Sequence, residues 1–197
     1  WQALDDASDE VTPNVHPFPG QPCTYPDSLV GQAGYHMGDM ACSIGQHTWN
    51  AAVWSAHAAT HAAALVLEGE RATYALCRPP GHHAYADRAN GFTYLNNAAI
   101  AAQYLRRQHP RVAILDVDVH HGNGTQGIFW RRSDVLTLSL HGDPHFCTPF
   151  FTGHAHERGE GEGLGYNLNY PLARGTGTDD YLSLIHISEP TRLGMIS

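Results

Sequence analysis

The segment that decides the fold is RVAILDVDVHHGNGTQ, residues 111–126. It begins with an apolar run typical of a buried β-strand, in which Asp116, Asp118 and His120 then alternate with valines. Alternate residues of an extended strand share one face, so these three side chains are expected on the same side. Two carboxylates and an imidazole are costly to bury together unless a divalent cation compensates them. The Gly-Asn-Gly sequence that follows predicts a turn out of the sheet.

A second motif, RPPGHHA at residues 78–84, places two adjacent histidines after a Pro-Pro-Gly sequence. The prolines disfavour a helix, and the glycine frees the backbone beside His82 and His83. On such a loop both imidazoles can be aimed into one pocket. Histidine pairs suit general acid and base catalysis because their ordinary pKa lies near neutral pH.

The remaining chain alternates between helical and strand patterns. Alternation of this kind predicts an α/β fold in which a parallel sheet is flanked by helices. Residues 152–165 are rich in Gly, His and Glu and predict a loop. Thr48 is a candidate cap for the first long helix, and Gly69 a candidate end. The predicted helices are 48–70, 94–108 and 128–132, and the predicted strands are 73–77, 111–119, 134–140 and 166–172.

Composition limits the function classes. The 197 residues are 42% hydrophobic and 15% charged, which is typical of one globular domain. A formal net charge of -8 argues against a nucleic-acid-binding surface and is compatible with cationic substrates. No apolar run reaches 18 residues and no signal peptide is visible, so no membrane association is expected. The four cysteines form no CxxC pair and are expected to be reduced, which favours a cytoplasmic location.

Four segments in order carry a family resemblance. Together they resemble the zinc deacetylase superfamily, which holds the histone deacetylases and the acetylpolyamine amidohydrolases. The sequence NGTQ after the His-His pair and the sequence HGDP are more similar to the acetylpolyamine amidohydrolase and class II side. The resemblance implies an arginase/deacetylase-like three-layer α/β fold, incomplete here. The segments are RPPGHHA (78–84), GFTYLNNAAIAAQYL (91–105), ILDVDVHHGNGTQGIF (114–129) and LSLHGDP (138–144).

The resemblance implies two kinds of metal site. Asp118 and His120 match two of the three zinc ligands, and the third, an aspartate, would lie downstream of this sequence. Ferrous iron is the alternative native metal. Monovalent cation sites for structural potassium are also implied. The inner one would use Asp116, Ser139 and the backbone carbonyls of Asp118, His120 and Leu140, and the outer one the backbone of Phe129 and Val135.

The resemblance also implies catalytic roles. His82 and His83 match the tandem histidines of the family. His83 would act as general base and later protonate the leaving amine, while His82 would stay largely protonated. Asp116 matches the carboxylate that orients His82, and Asn123 matches the partner of His83.

The implied function is a metal-dependent deacetylase that hydrolyses the amide of a small acetylated amine, such as an acetylpolyamine, by zinc-activated water. Gly91 and Phe92 match the wall of the substrate tunnel, where an aromatic ring would hold the aliphatic stem of the substrate. Polyamine-type relatives are often dimers, so a homodimer is also implied.

Two alternatives stay open, and a third is disfavoured. One is a protein lysine deacetylase of the histone deacetylase type, and another is an inactive, truncated or non-catalytic binding relative. A ureohydrolase of the arginase type needs a denser Asp and His set than this sequence offers. The expected organisation is an N-terminal arm (1–33), a partial catalytic domain (34–182) and a non-native tail (183–197). No residue matches the carbonyl-polarising tyrosine of the family, so this chain is expected to have little or no activity by itself.

Overall fold

The computed structural model describes residues 10–15 and 22–188, and the chain divides into two compact units, Trp1–Val112 and Ala113–Ser197. The first unit contains three helices: α1 (Leu29–Tyr35), α2 (Thr48–Leu67) and α3 (Asn97–Leu105). Helices α2 and α3 pack against each other, and the side chains that they bury are mostly alanines. Small side chains let two helix backbones approach closely, which explains the Ala-rich pattern of both segments.

The helix ends differ slightly from the sequence prediction. Helix α2 begins after His47, and Thr48 is its first residue, with its Oγ1 accepting the backbone N–H of Gly45 at 2.9 Å. Its predicted end at Gly69 is confirmed by a φ of 115° there, a conformation that glycine adopts easily. Helix α3 is shorter than predicted because the Asn96 side chain caps it, accepting the N–H of Ala99 at 3.0 Å.

The predicted strand at residues 73–77 is wrong. The segment has no regular secondary structure and pairs with no strand in the part of the chain that the structure describes. Tyr74 and Leu76 are 87% and 81% exposed. An apolar run forms a strand only where a neighbouring backbone satisfies its hydrogen bonds, and sequence pattern alone does not supply that neighbour.

The second unit holds a three-stranded sheet in the order β1 (Val112–Asp116), β2 (Val135–Gly142) and β3 (Asn167–Leu172). Strands β2 and β3 run parallel, with Ser139 opposite Asn169, so the predicted parallel sheet is confirmed. Strand β2 is almost completely buried. Helix α4 (Asn123–Phe129) packs on β2, and helix α5 (Thr178–Ser188) follows β3.

The region after β1 departs from the prediction. The strand ends at Asp116 instead of continuing to residue 119, and it is half-exposed, not buried. Asp116 Oδ1 accepts the N–H of Asp118 at 3.0 Å, and Asp118 Oδ1 accepts the N–H of His120 at 2.8 Å. Such local bonds compete with a strand ladder and curl the chain into bends. The Gly-Asn-Gly sequence then starts helix α4, which begins at Asn123 and not at residue 128.

The terminal segments are described in part. In the predicted arm, Val11 pairs with Ile44 as an isolated bridge. The predicted tail overlaps helix α5 up to Ser188, and residues 189–197 lie outside the described chain. Within the described residues, no helix is long and apolar enough to cross a membrane. The boundaries of the arm, catalytic domain and tail stay predictions.

Candidate functional site

Asp118 and His120 form the candidate divalent-metal pair. The carboxylate Oδ1 and the imidazole Nδ1 lie 3.4 Å apart, and the two side chains are 50% and 40% exposed. Two donors bound tetrahedrally to one zinc ion, each at about 2.0–2.1 Å, are separated by about 3.3–3.4 Å. The donor types and their separation therefore fit a single zinc ion, and both donors are open to solvent.

The pair supplies two protein donors. Across residues 10–15 and 22–188, no group of three or more His, Cys, Asp or Glu side chains is arranged to hold a metal ion. Zinc sites with catalytic roles use three protein ligands and leave a fourth position open. The described residues thus provide an incomplete zinc site of fitting chemistry.

Two of the residues predicted for the inner monovalent cation lie together. Asp116, at the end of β1, and Ser139, on β2, line the same small cavity, as does Asn169 of β3. The amide Oδ1 of Asn169 is buried without a hydrogen-bond partner. A small cavity that is lined by oxygen acceptors, one of them without a donor, fits a bound cation or water molecule. Leu140, Phe129 and Val135, predicted to contribute backbone oxygens, are all buried core residues.

A buried polar network connects the strand ends to the loop at 152–165. His121 Nε2 donates to Gln126 Oε1 at 3.1 Å, and Nδ1 of the neutral ring accepts from the Thr152 hydroxyl at 3.0 Å. Gln126 donates to Glu157 Oε2 at 2.7 Å, and this carboxylate also accepts the N–H of Gly153 at 2.8 Å. The network fixes residue 121, which immediately follows the candidate ligand His120.

Two buried histidines of the network stay neutral. The rings of His121 and His141 lie 4.6 Å apart, and His141 also contacts Ser139 Oγ at 2.8 Å. Burial, with a second contribution from His141, lowers the pKa of His121 to about 3. Burial also lowers the pKa of His141. Neutral imidazoles can each donate one hydrogen bond and accept another, which suits a network role.

Asn123 opens helix α4. It is buried, and its Oδ1 accepts the N–H of the next residue, Gly124, at 3.1 Å. The pairing of Asn123 with His83 and of Asp116 with His82 stays a prediction.

In the first unit, the rings of His82 and His83 are in contact. Their ring centroids lie 3.9 Å apart with the planes tilted by 44°. Adjacent residues on a regular strand would point in opposite directions, so the Pro-Pro-Gly loop accounts for this arrangement. The aim of both imidazoles into one pocket stays a prediction.

The predicted tunnel-wall residues form a tight turn beside His83. Gly91 and Phe92 have φ values of 52° and 65°, and Asn90 and Thr93 pair across them. Two central residues with positive φ define a type I′ turn. A side chain on Gly91 would overlap the His83 ring, so glycine is required there. Phe92 is 68% exposed, as a substrate wall requires.

A family profile for the histone deacetylase domain matches residues 14–191. The chain belongs to the histone deacetylase family. It is 53% identical over 177 residues to an acetylpolyamine amidohydrolase of Burkholderia pseudomallei, covering 89% of this chain and 51% of that protein. A histone deacetylase-like amidohydrolase of Pseudomonas aeruginosa is 44% identical, with 89% and 46% covered.

Solved structures support the family fold. The crystal structure of an acetylpolyamine aminohydrolase from Burkholderia pseudomallei superposes with a TM-score of 0.82 at 49% identity, covering 94% of this chain and 54% of that one. A histone deacetylase homologue from Aquifex aeolicus gives a TM-score of 0.69 at 34% identity, with 79% and 43% covered. This member of the histone deacetylase family spans about half the length of the curated relatives it matches.

Sequence reasoning did not find the polar network or a contact made by Asp39. The network had a weak signal, because Asn167 and Asn169 alternate on a strand and so share one face. Asp39 had none, since it lies in an irregular loop 52 residues from the turn that it contacts. A contact between two loops that are far apart in the chain produces no periodic pattern in the amino-acid sequence.

Proposed function

We propose that this chain is part of a metal-dependent deacetylase that hydrolyses the amide of a small acetylated amine, with an acetylpolyamine as the substrate. The observation that carries the proposal is the 3.4 Å separation of Asp118 Oδ1 and His120 Nδ1 on a chain of this family. The 53% identity to an acetylpolyamine amidohydrolase favours the polyamine class over acetylated protein lysines.

Asp118 and His120 would hold the divalent ion, either zinc or ferrous iron. When bound, such an ion acts as a Lewis acid toward the amide carbonyl and lowers the pKa of water. Asp116 and Ser139, with neighbouring backbone oxygens, would hold a structural potassium ion. Oxygen-only donors suit such a hard cation.

These two histidines would move the protons of the reaction. His83 accepts a proton from the attacking water and returns it to the leaving amine. In this proposal His82 carries charge while His83 acts as base, and the two ring centroids lie 3.9 Å apart. Phe92 packs on the aliphatic stem of the substrate.

The test uses a chimera, because the described residues supply two metal donors. Residues 14–191 replace the aligned segment of the Burkholderia pseudomallei acetylpolyamine amidohydrolase. The chimera is assayed with zinc on acetylated putrescine and on an acetyl-lysine peptide. We expect turnover of the acetylated polyamine, and its loss by at least about 100-fold in a folded His83→Ala chimera.

The other possible results of the chimera assay favour the alternative functions. Faster turnover of the peptide than of the polyamine would favour the protein lysine deacetylase. A folded, zinc-loaded chimera without activity on either substrate would overturn the proposal in favour of a non-catalytic binding relative. A homodimer is also proposed, and light scattering of the chimera would test it.

A further inference from the structure

The turn that presents Phe92 is held by an irregular loop of the first unit, here named the clamp segment (residues 36–43). The backbones of the two parts pair, with Gly38 N–H donating to Ala89 O at 2.8 Å and Ala89 N–H donating to His36 O at 2.8 Å. The Cys42 thiol reaches Thr93 O at 3.7 Å on the far side of the turn. The clamp segment therefore follows the turn along its length.

Asp39 is the acidic residue of the clamp segment. Its carboxylate Oδ1 accepts the N–H of Ala41 at 2.9 Å, and its Oδ2 accepts the N–H of Gly91 at 2.9 Å. One side chain thus joins two backbone segments. Hydrogen bonds to a charged acceptor are roughly twice as strong as those between neutral groups. Burial first, and the neighbouring Asp39 carboxylate second, raise the pKa of the Cys42 thiol to about 12.

The position of the Gly91 amide affects two neighbouring groups, the His83 ring and the Phe92 side chain. Gly91 lies directly against the His83 ring, close enough that a side chain at this position would collide with it. Phe92, the next residue, has a positive φ that non-glycine residues rarely adopt. A hydrogen bond that fixes the Gly91 amide therefore fixes, in one turn, the surface beside His83 and the direction of Phe92.

We propose that Asp39 is a positioning residue for the deacetylation reaction, which holds the Gly91–Phe92 turn against His83 through the Gly91 amide. This role rests on the proposed function, because it assumes that His83 transfers protons and that Phe92 contacts substrate. Asp39 itself touches neither ring in this scheme. It acts through the turn, so its loss changes the placement of both groups and leaves their chemistry intact.

The first test measures the bond without any activity. Amide exchange and proton shifts are recorded by NMR for the 197-residue chain and its Asp39→Ala, Asp39→Asn and Asp87→Ala variants. Asp87 is an exposed residue of the same region whose backbone carbonyl, not its carboxylate, bonds to His36, so its substitution is a matched loss of charge. We expect Asp39→Ala to speed exchange of the Gly91 amide at least about 10-fold and Asp87→Ala to leave it unchanged. Equal exchange in all four proteins would overturn the proposal.

The second test measures the consequence in the chimera described above. We expect Asp39→Ala to lower kcat/KM about 10- to 100-fold, as small misplacements of reacting groups do. Asp39→Asn, which keeps one acceptor oxygen, should recover most of that loss, and Asp87→Ala should match the parent. If Asp39→Ala frees the Gly91 amide while kcat/KM stays within about twofold of Asp87→Ala, the positioning role is wrong.

The two tests also separate this role from the proposed function. An inactive parent chimera would overturn the proposed function, and the positioning role with it, while the exchange data would still show whether the bond exists. If Asp39→Ala does not fold, Asp39→Leu, which fills the space but has no acceptor, carries both measurements, and an unchanged Gly91 amide together with unchanged kcat/KM in that variant would overturn the proposal.

Discussion

The imidazole rings of His121 and His141 lie 4.6 Å apart in the interior of the second unit. Both rings are 1% exposed, and each reaches a hydrogen-bond partner in the polar network. Both have a lowered pKa, chiefly because burial penalises the charged form. A pair of neutral histidines inside a domain makes its stability dependent on pH.

The sign of that dependence follows from the direction of the shift. A histidine whose pKa is lower in the folded state binds more protons when unfolded, so stability is complete above about pH 6.5 and falls as the pH drops toward the folded value. For His121 the decline would continue to about pH 3. The slope is at most about 1.4 kcal/mol per pH unit for each histidine.

Urea unfolding of the 197-residue chain at pH 7.5 and pH 5.5 measures this effect. We expect lower stability at pH 5.5, and a smaller difference in a His121→Gln variant, which keeps polar atoms but cannot gain a proton. A chain that is more stable at pH 5.5 than at pH 7.5 would contradict the assignment of neutral buried histidines.

Glu157 and Glu160 offer a matched pair of carboxylates in one loop. Glu157 accepts hydrogen bonds from Gln126 and Gly153, inside the network. Glu160 forms a surface ion pair with Arg131 at 3.0 Å, in which the side chains are 73% (Arg131) and 57% (Glu160) exposed. Removing the partner of a buried donor costs about 1–3 kcal/mol, whereas an exposed ion pair contributes about 0–1 kcal/mol.

We therefore expect Glu157→Ala to lower the free energy of unfolding by about 2–4 kcal/mol and Glu160→Ala by less than about 1 kcal/mol. Denaturant unfolding at pH 7.5 measures both. Similar losses for the two variants would mean that the loop is held by other contacts.

The metal pair makes a separate prediction. Asp118→Ala and His120→Ala should each weaken Zn²⁺ or Co²⁺ binding by the 197-residue chain at least about 10-fold, because each removes one of two donors. Competition with a chelating dye measures the affinity. The exposed His145 and the half-buried His154 provide a control, since their rings meet edge to face in the same unit. If their alanine variants weaken binding as much as Asp118→Ala does, the metal binds elsewhere.

How much the sequence predicts depends on whether a feature is local. The alternation of Asp116, Asp118 and His120 predicts a common side for the three, and in the structure Asp118 Oδ1 and His120 Nδ1 lie 3.4 Å apart. The structure achieves this by bends and not by the predicted strand, because each carboxylate caps the amide two residues on. The sequence therefore predicts which neighbouring side chains lie on one side, but it does not predict the path of the backbone between them.

Contacts between residues that are far apart in the sequence could not be predicted from the sequence pattern. The apolar run at 73–77 has the composition of a strand but pairs with no strand in the described chain, and Asp39 meets Gly91 across 52 residues. In both cases the deciding interaction lies elsewhere in the chain, where periodicity carries no information. The family resemblance supplied residue roles, yet it did not supply these contacts.

Substituting Phe92 should affect the stability of the chain and its binding of substrate in opposite directions. Its φ of 65° places a phenylalanine in the left-handed region, at a cost of about 1–2 kcal/mol relative to glycine, and its side chain is 68% exposed. Phe92→Gly relieves the strain and gives up little buried area, so we expect the variant to be as stable as the parent or more stable by up to about 1 kcal/mol. In the chimera the same change should raise KM for an acetylated polyamine, because the aliphatic stem loses its aromatic wall.

Thermal unfolding and steady-state kinetics measure the two effects, with Phe92→Leu as the control that keeps an apolar side chain. A Phe92→Gly variant that is clearly less stable would mean that the ring is packed, and an unchanged KM would remove Phe92 from the substrate site.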